Sequence, residues 1–275
     1  MEKALVLLSG GLDSRLACKI LQDKYKVTAV FFLLPFTGGC CKDKFCVFSF
    51  CQKQAIKLEI VDCTKGKLFQ EYIDMLRKPK YGRGTAMNPC RDCHIFMFKK
   101  AKEYANKNKI KVIATGEVLD QRPMSQTNHA LGLIDKELGF QVTRPLIDLG
   151  IQGRQRKQQI ALASKYNIDY PSPGGGCLLC EREYCKKLKL VLNNPDLSYN
   201  DIQILSIGRH FLSSKIILGK NHEENQLLEK QLGIKLIPEQ PGPTALVKDK
   251  ALVGQAKELI QRYSKHKILD FKIKR

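Results

Sequence analysis

Ser9-Gly10-Gly11-Leu12-Asp13-Ser14 follows directly on the apolar run Ala4-Leu5-Val6-Leu7-Leu8. A buried strand that runs into a Gly-Gly turn and then a helix leaves unpaired backbone N–H groups where an anion can sit. Two glycines also let the backbone approach oxygens that a Cβ would block. Ser9 and Ser14 add hydroxyl donors, and Asp13 is placed to orient Mg2+. The pattern is not Walker A, which has four residues between its glycines and ends in Gly-Lys-Ser/Thr. The plain alternative is an ordinary glycine-rich strand-to-helix turn.

Outward from this loop the chain alternates. Residues 3–8 read as a first strand and 12–22 as a helix. The continuous apolar run 27–34 reads as a second strand buried on both faces. A Gly/Cys-rich loop spans 35–46, a helix 47–57, a strand 57–61 and a helix 66–77. A Gly/Pro loop at 79–89 leads to a helix at 94–108 and a fourth strand at 111–115. Strands alternating with helices predict an α/β fold with a doubly wound parallel sheet. Ligands of such sheets sit at the carboxyl ends of the strands. Gly10, Phe32 and Gly116 each lie at such an end. Residues 117–150 read as irregular, 152–166 as a basic helix and 170–176 as a Pro/Gly loop. A boundary in 193–200 divides the chain into 1–194 and 195–275. The second part reads as a small α+β module, with strands at 202–209, 214–218 and 244–248 and helices at 221–232 and 250–264.

The chain has 275 residues and a net charge of +20, with basic residues spread along its length. Residues 186–275 carry 17 Lys and Arg against 9 Asp and Glu. Such a surplus favours a polyanionic partner, RNA or DNA by default. No apolar run reaches the ~18 residues of a membrane span. Met1-Glu2-Lys3 leads straight into a strand with no signal-type core. The expectation is a soluble, cytoplasmic protein with no membrane partner.

Eleven cysteines in such a chain point to metal, cluster or catalytic thiols rather than a disulfide framework. Cys90 and Cys93 form one Cys-x-x-Cys ahead of a helix, whose N-terminus favours the ionised thiol. Cys177 and Cys180 form a second after Gly174-Gly175-Gly176, and Cys185 follows. Three chemistries suit this set: a four-thiolate zinc site, a [4Fe–4S] cluster on three cysteines, or a redox or persulfide pair. Cys40, Cys41, Cys46 and Cys51 read as loop and core thiols, with sulfur relay as a minority role. Cys46 and Cys51, five residues apart, fall about 140° apart on a helix. Cys18 and Cys63 fit core positions.

Several segments in order carry a resemblance. They are the loop at 9–14, Pro79–Gly84, Met87-Asn88-Pro89-Cys90-Arg91-Asp92-Cys93-His94, Thr115-Gly116-Glu117-Val118-Leu119, Arg122–Gln126 and Pro171–Leu179. Together they resemble the PP-loop (HUP-like) tRNA sulfurtransferases, in particular a 4-thiouridine-synthetase-like adenylation domain. Residues 204–209, Gly219-Lys220-Asn221, Glu224-Asn225 and Gly242-Pro243-Thr244 are similar to the RNA-binding module of NFACT proteins.

The resemblance implies ATP-dependent adenylation of a uridine carbonyl oxygen in tRNA and its replacement by sulfur. It implies ATP contacts at Ser9, Gly10, Gly11, Asp13, Ser14, Phe31, Phe32, Gly116 and Gln126. It implies catalytic roles for Asp13, Cys93 and Cys177, and a [4Fe–4S] cluster on Cys90, Cys93 and Cys177 with zinc as the alternative. Asp120 stands where the family pattern has glycine, and Cys180 where it has threonine. The usual tRNA-recognition and rhodanese domains are not seen, which implies an external sulfur donor. Two rival activities use the same features: an ATP pyrophosphatase that uses ammonia, and a non-catalytic, zinc-stabilised RNA-binding protein.

Overall fold

The computed structural model describes residues 1–37, 44–172 and 176–274, with the side chain of Lys44 excepted. Cys40, Cys41, Gly174 and Gly175 lie outside the described residues. The chain forms two compact units, Met1–Cys180 and Glu181–Arg275.

In the first unit the elements run β1 (Glu2–Leu7), α1 (Leu12–Gln22), β2 (Tyr25–Leu33), α2 (Lys44–Lys53), β3 (Lys57–Asp62), α3 (Gly66–Arg77), α4 (Cys90–Lys107), β4 (Val112–Thr115), α5 (Asn128–Leu138), α6 (Pro145–Asp148) and α7 (Lys157–Lys165). The sheet order is β3-β2-β1-β4, every pair parallel. Successive strand residues face opposite sides of a sheet, and both sides here are apolar. Val6, Ala29 and Phe31 pack with Leu12 and Leu16 of α1, Val47 of α2 and Ala163 of α7. Leu5, Val30 and Phe32 pack with Ile95 and Phe98 of α4 and Ile134 of α5. The parallel order reverses direction of growth at β1, between β2 and β4, so the loop after β1 opens at the switch point where ligands of such folds bind.

The second unit holds α8 (Arg182–Val191), α9 (Tyr199–Ile204), β5 (Arg209–Phe211), β6 (Ile216–Leu218), α10 (His222–Glu229), β7 (Ile234–Pro238), β8 (Ala245–Val247), α11 (Val253–Tyr263) and β9 (Phe271–Lys274). Its sheet is antiparallel, ordered β5-β6-β8-β7-β9. Ile216, Leu218, Leu236 and Val247 meet Ala256 and Ile260 of α11 in its core.

The sequence reading differs from this in specific places. The units divide at Cys180–Glu181, ahead of the expected 194/195. Helix α8 belongs to the second unit through the Tyr184 hydroxyl, which donates to Ile202 O at 3.1 Å, and Lys187 Nζ, which donates to Leu205 O at 2.9 Å. The expected strand 202–209 begins as helix α9. Ser198 and Asp201 cap it reciprocally, each satisfying the other's backbone N–H at 3.2 and 3.0 Å, and a capping box outweighs a short β-branched run. The segment 117–150 is not irregular, since it contains α5. Thr127 caps α5 from Ala130 N, and Gly139 closes it at φ +70°. Among the described residues no helix is long and apolar enough to cross a membrane.

Candidate active site

The loop after β1 is held open by its own small side chains. Gly10 adopts φ +88°, a conformation that favours glycine. Gly11 is the N-cap of α1 and offers no side-chain cap, so the first backbone N–H groups of the helix have no side-chain acceptor. Ser14 Oγ donates to Gly11 O at 3.0 Å, accepts from Ser9 N–H at 3.2 Å and lies 3.2 Å from Ser9 Oγ. Arg15, buried under the loop, fixes its outer edge. It donates to Gly10 O at 2.8 Å, Asp169 O at 2.6 Å and Cys46 Sγ at 2.9 Å, and lies over the Phe50 ring.

Asp13 has one filled oxygen and one empty one. Oδ2 accepts from Gln121 Nε2 at 3.1 Å, whereas Oδ1 is buried without a hydrogen-bond partner. Burial raises its carboxyl above the usual range, and Gln121, Arg156 and Arg122 counter that in part. Native interiors satisfy nearly all such oxygens, so an orphaned carboxylate oxygen beside an open helix N-terminus suits a cation bridging to an anion. Gln126 Oε1 is a second buried acceptor without a partner. Asp120, at the position where the resemblance led to an expected glycine, sits at φ +58°, a left-handed conformation that glycine enters freely and that Asp tolerates better than most side chains.

β4 delivers Gly116 against the same loop. A Cβ there would stand 2.5 Å from Asp13 C, Asp13 O and Ser14 N. Those are backbone atoms at the start of α1 and cannot swing aside. Gly116→Ala is therefore expected to displace the loop at a stability cost of about 1–3 kcal/mol, and, if the loop holds ATP as the resemblance implies, to weaken that binding at least about 10-fold. Isothermal titration with ATP and a thermal melt measure the two effects.

Next to Gly116, Glu117 is 3% exposed and accepts from His94 Nδ1 at 2.7 Å and Arg144 Nε at 2.9 Å. Arg144 forks onto both oxygens of Asp135 at 2.8 Å. These partners hold Glu117 ionised, below the usual carboxylate range, against its burial.

The Cys-x-x-Cys pair at 90 and 93 lies inside the first turn of α4 rather than ahead of it. Asp92 accepts from Lys80 N at 2.8 Å and Tyr81 N at 3.0 Å, which pins the 79–84 loop to that turn. Met87 N–H donates to Leu179 O at 3.1 Å, and Leu178 N–H donates to Phe36 O at 2.9 Å. The second Cys-x-x-Cys is thus strapped between the α4 entry and the exit of β2. Cys177 and Cys180 are exposed, and Cys90 and Cys93 partly so. Cys93 Sγ lies 3.3 Å from the Tyr72 hydroxyl, and Asn88 Nδ2 approaches Cys90 Sγ at 3.9 Å. Cys177 shares a hydrogen bond with Cys180, and Cys93 and Cys180 are close enough to disfavour the thiolates of Cys177 and Cys90 respectively.

The expected ionisation of this pair is corrected by burial. Desolvation pushes the Cys93 thiol up to about 12, and Cys90 is raised for the same reason. A helix N-terminus is worth about 0.3–1 kcal/mol, while a thiol displaced that far has lost several kcal/mol of hydration. Cys177 is raised by its hydrogen bond with Cys180 and then by desolvation.

Cys46 is half-buried against Arg15, and Cys51 is buried beside Cys18. Cys63 lies in the core and Cys185 within α8. Phe31 and Phe32 are core side chains on opposite faces of the sheet, 1% and 7% exposed, so only their main chain is available at the strand end. Arg122 and Arg156 at Asp13, and the Glu117 network, were not among the expected site residues. Arg122 lies within the segment 122–126 that carries the resemblance, and Arg156 lies in the basic stretch Arg154-Gln155-Arg156-Lys157 that leads into α7, so both signals were present in the sequence.

The donor set of the four thiols is soft, suited to iron or zinc. Among the described residues, however, no three His, Cys, Asp or Glu side chains converge as ligands of one metal ion.

Comparison with known proteins places these observations. The family described as Thiamine biosynthesis protein (ThiI) matches residues 1–165. A protein of Thermoanaerobacter pseudethanolicus named "Probable tRNA sulfurtransferase" is 34% identical over 172 residues, 59% of this chain and 40% of that protein. A Treponema denticola protein named tRNA-specific 2-thiouridylase MnmA is 29% identical over 234 residues, 76% of this chain and 63% of that protein. The chain thus spans less than two thirds of the length of either. The structure of U34-tRNA thiolase NcsA from Methanococcus maripaludis with its [4Fe-4S] cluster overlays at a TM-score of 0.43 and 20% identity, covering 74% of this chain and 71% of that one, too distant a likeness to carry an argument. With the family match running from β1 to the end of α7, the chain belongs to the ThiI family.

Proposed function

We propose that the chain is an ATP-dependent tRNA sulfurtransferase, which adenylates a uridine carbonyl oxygen and replaces it with sulfur. One observation carries the reading: the segment 121–126 touches both places, since Gln121 Nε2 donates to Asp13 Oδ2 at 3.1 Å while Met124 O accepts from Nε of Arg91, the residue after Cys90, at 3.2 Å, so one segment joins the phosphate loop to the turn that carries the thiols. An ammonia-using pyrophosphatase needs the loop but gives the thiols no work.

Oxide cannot leave a carbonyl carbon, but a phosphate ester can. The uridine oxygen attacks the α-phosphorus of ATP and pyrophosphate departs. The open amides of α1 and the Gly10–Gly11 turn face the charge that develops on it. Asp13 Oδ1 would hold an accompanying Mg2+, which would neutralise charge on the departing pyrophosphate, and Arg122 and Arg156 add fixed positive charge. Gln126 is the acceptor available to a nucleotide amino group. Sulfur then attacks the activated carbon, and AMP leaves with the former carbonyl oxygen. Cys90, Cys93 and Cys177 are the residues that would hold a [4Fe–4S] cluster, which would supply an iron position for inorganic sulfide. Cys180 stands beside them as a further thiol. The sulfur donor is external, and the second unit docks tRNA through phosphate contacts that position without reading sequence.

The test is mass spectrometry of tRNA nucleosides from a strain lacking this chain, with and without its return on a plasmid. One thiolated uridine is expected to vanish and be restored. An unchanged nucleoside profile together with no tRNA-dependent pyrophosphate release by the purified protein overturns the reading.

A further inference from the structure

Resting on the tRNA reading, we infer that Arg209, Phe211 and Tyr263 of the second unit form a stacking platform for unpaired nucleotides. β5 is an edge strand, and alternate residues of a strand share a face. His210 takes one face, half-buried, with Nε2 2.8 Å from Ile207 O and Nδ1 3.0 Å from Ser214 Oγ. Arg209 and Phe211 therefore share the other, the face on the side of α11, where Phe211 is half-buried at the edge of the core and Arg209 is exposed. There the Phe211 ring lies 5.7 Å from the Tyr263 ring at a 54° tilt, and the Arg209 guanidinium lies 5.1 Å above Tyr263. Tyr263 is 42% exposed, a large aromatic left in solvent at the end of α11.

The charge around it names the occupant. Tyr263 lies within Arg262-Tyr263-Ser264-Lys265-His266-Lys267, and Arg209, Arg262, Lys265 and Lys267 are all exposed. None of these four cations pairs with a carboxylate among the described residues. Elsewhere in the same unit Lys186, Lys220, Lys248 and Lys274 each have one. Unneutralised cations beside an exposed ring with a planar guanidinium on its face suit a phosphate backbone with its bases turned onto π-surfaces. A duplex presents no free base face, so the platform selects single-stranded RNA over paired RNA.

The test uses the full chain, with fluorescence anisotropy on tRNA, a short single-stranded oligoribonucleotide and a blunt RNA duplex across a salt series. Tyr263→Leu and Arg209→Lys are each expected to weaken single-strand binding about 10-fold, since stacking is lost. The salt slope stays the same, because Arg209→Lys keeps the charge and Tyr263 carries none. Tyr263→Phe keeps wild-type affinity, and duplex binding is unchanged in all three. Thermal melts check folding, and if Tyr263→Leu fails to fold, the exposed Arg209→Lys carries the test. Equal losses on duplex and single strand, undiminished single-strand binding, or no single-strand binding by the wild type each overturn the platform. Wild-type pyrophosphate release with tRNA separates that failure from failure of the sulfurtransferase reading.

Discussion

Replacing Asp13 with alanine is expected to lower tRNA-dependent pyrophosphate release at least about 100-fold, the scale of losing one fixed electrostatic contact to a developing charge, while tRNA affinity changes by less than about 2-fold. The carboxylate stands at the start of α1, in the first unit, with Oδ1 buried and without a hydrogen-bond partner. Asp13→Asn sharpens the experiment. It keeps an oxygen for Gln121 Nε2 but cannot carry the charge that binds a divalent cation. Its stability moves the other way. A carboxyl raised by burial is harder to ionise in the fold than in the unfolded chain, so at neutral pH it works against folding. The Asn variant is expected to melt at the same temperature as the wild type or higher while remaining inactive. Undiminished pyrophosphate release by either variant removes Asp13 from the mechanism.

The second large effect concerns the thiols. Protein purified without oxygen is expected to carry about one [4Fe–4S] cluster per chain. Cys90→Ala, Cys93→Ala and Cys177→Ala should each remove the brown chromophore and most of the iron and labile sulfide. Cys180→Ala should retain most of both. Burial already disfavours the free thiolate at Cys93, and a bound cation that takes up that charge reverses the penalty. Stoichiometric zinc with neither iron nor sulfide, or loss of metal from Cys180→Ala equal to that from the other three, would overturn the assignment.

The first unit was more legible in the sequence than the second, for physical reasons. Helices α1 and α3 fall at 12–22 and 66–77, where the sequence places them, because each begins after a glycine-containing or polar break and buries one apolar stripe. β2 is apolar on both faces because helices cover both. The missed helix α5 had its signals in the sequence, Thr127 before it and Gly139 after it, but its apolar stripe is short. β9 was unreadable: a terminal edge strand with three of its four residues exposed has no buried face to impose a period. In the site, the loop and the cysteine spacing were visible, and the network Glu117–His94–Arg144–Asp135 was not. Its members come from three helical segments and a strand end, and only the fold brings them together.

That network has a thermodynamic corollary. Glu117 follows Gly116, which packs on the phosphate loop, and its partner His94 follows Cys93 in the turn that carries the thiols. One buried carboxylate therefore abuts both halves of the crevice. Whatever free energy a nucleotide spends in moving that carboxylate is felt by the occupant of the sulfur side, and the linkage must be equal in the reverse direction. Nucleotide affinity measured with and without the sulfur centre, and retention of that centre measured with and without nucleotide, are two readings of a single quantity.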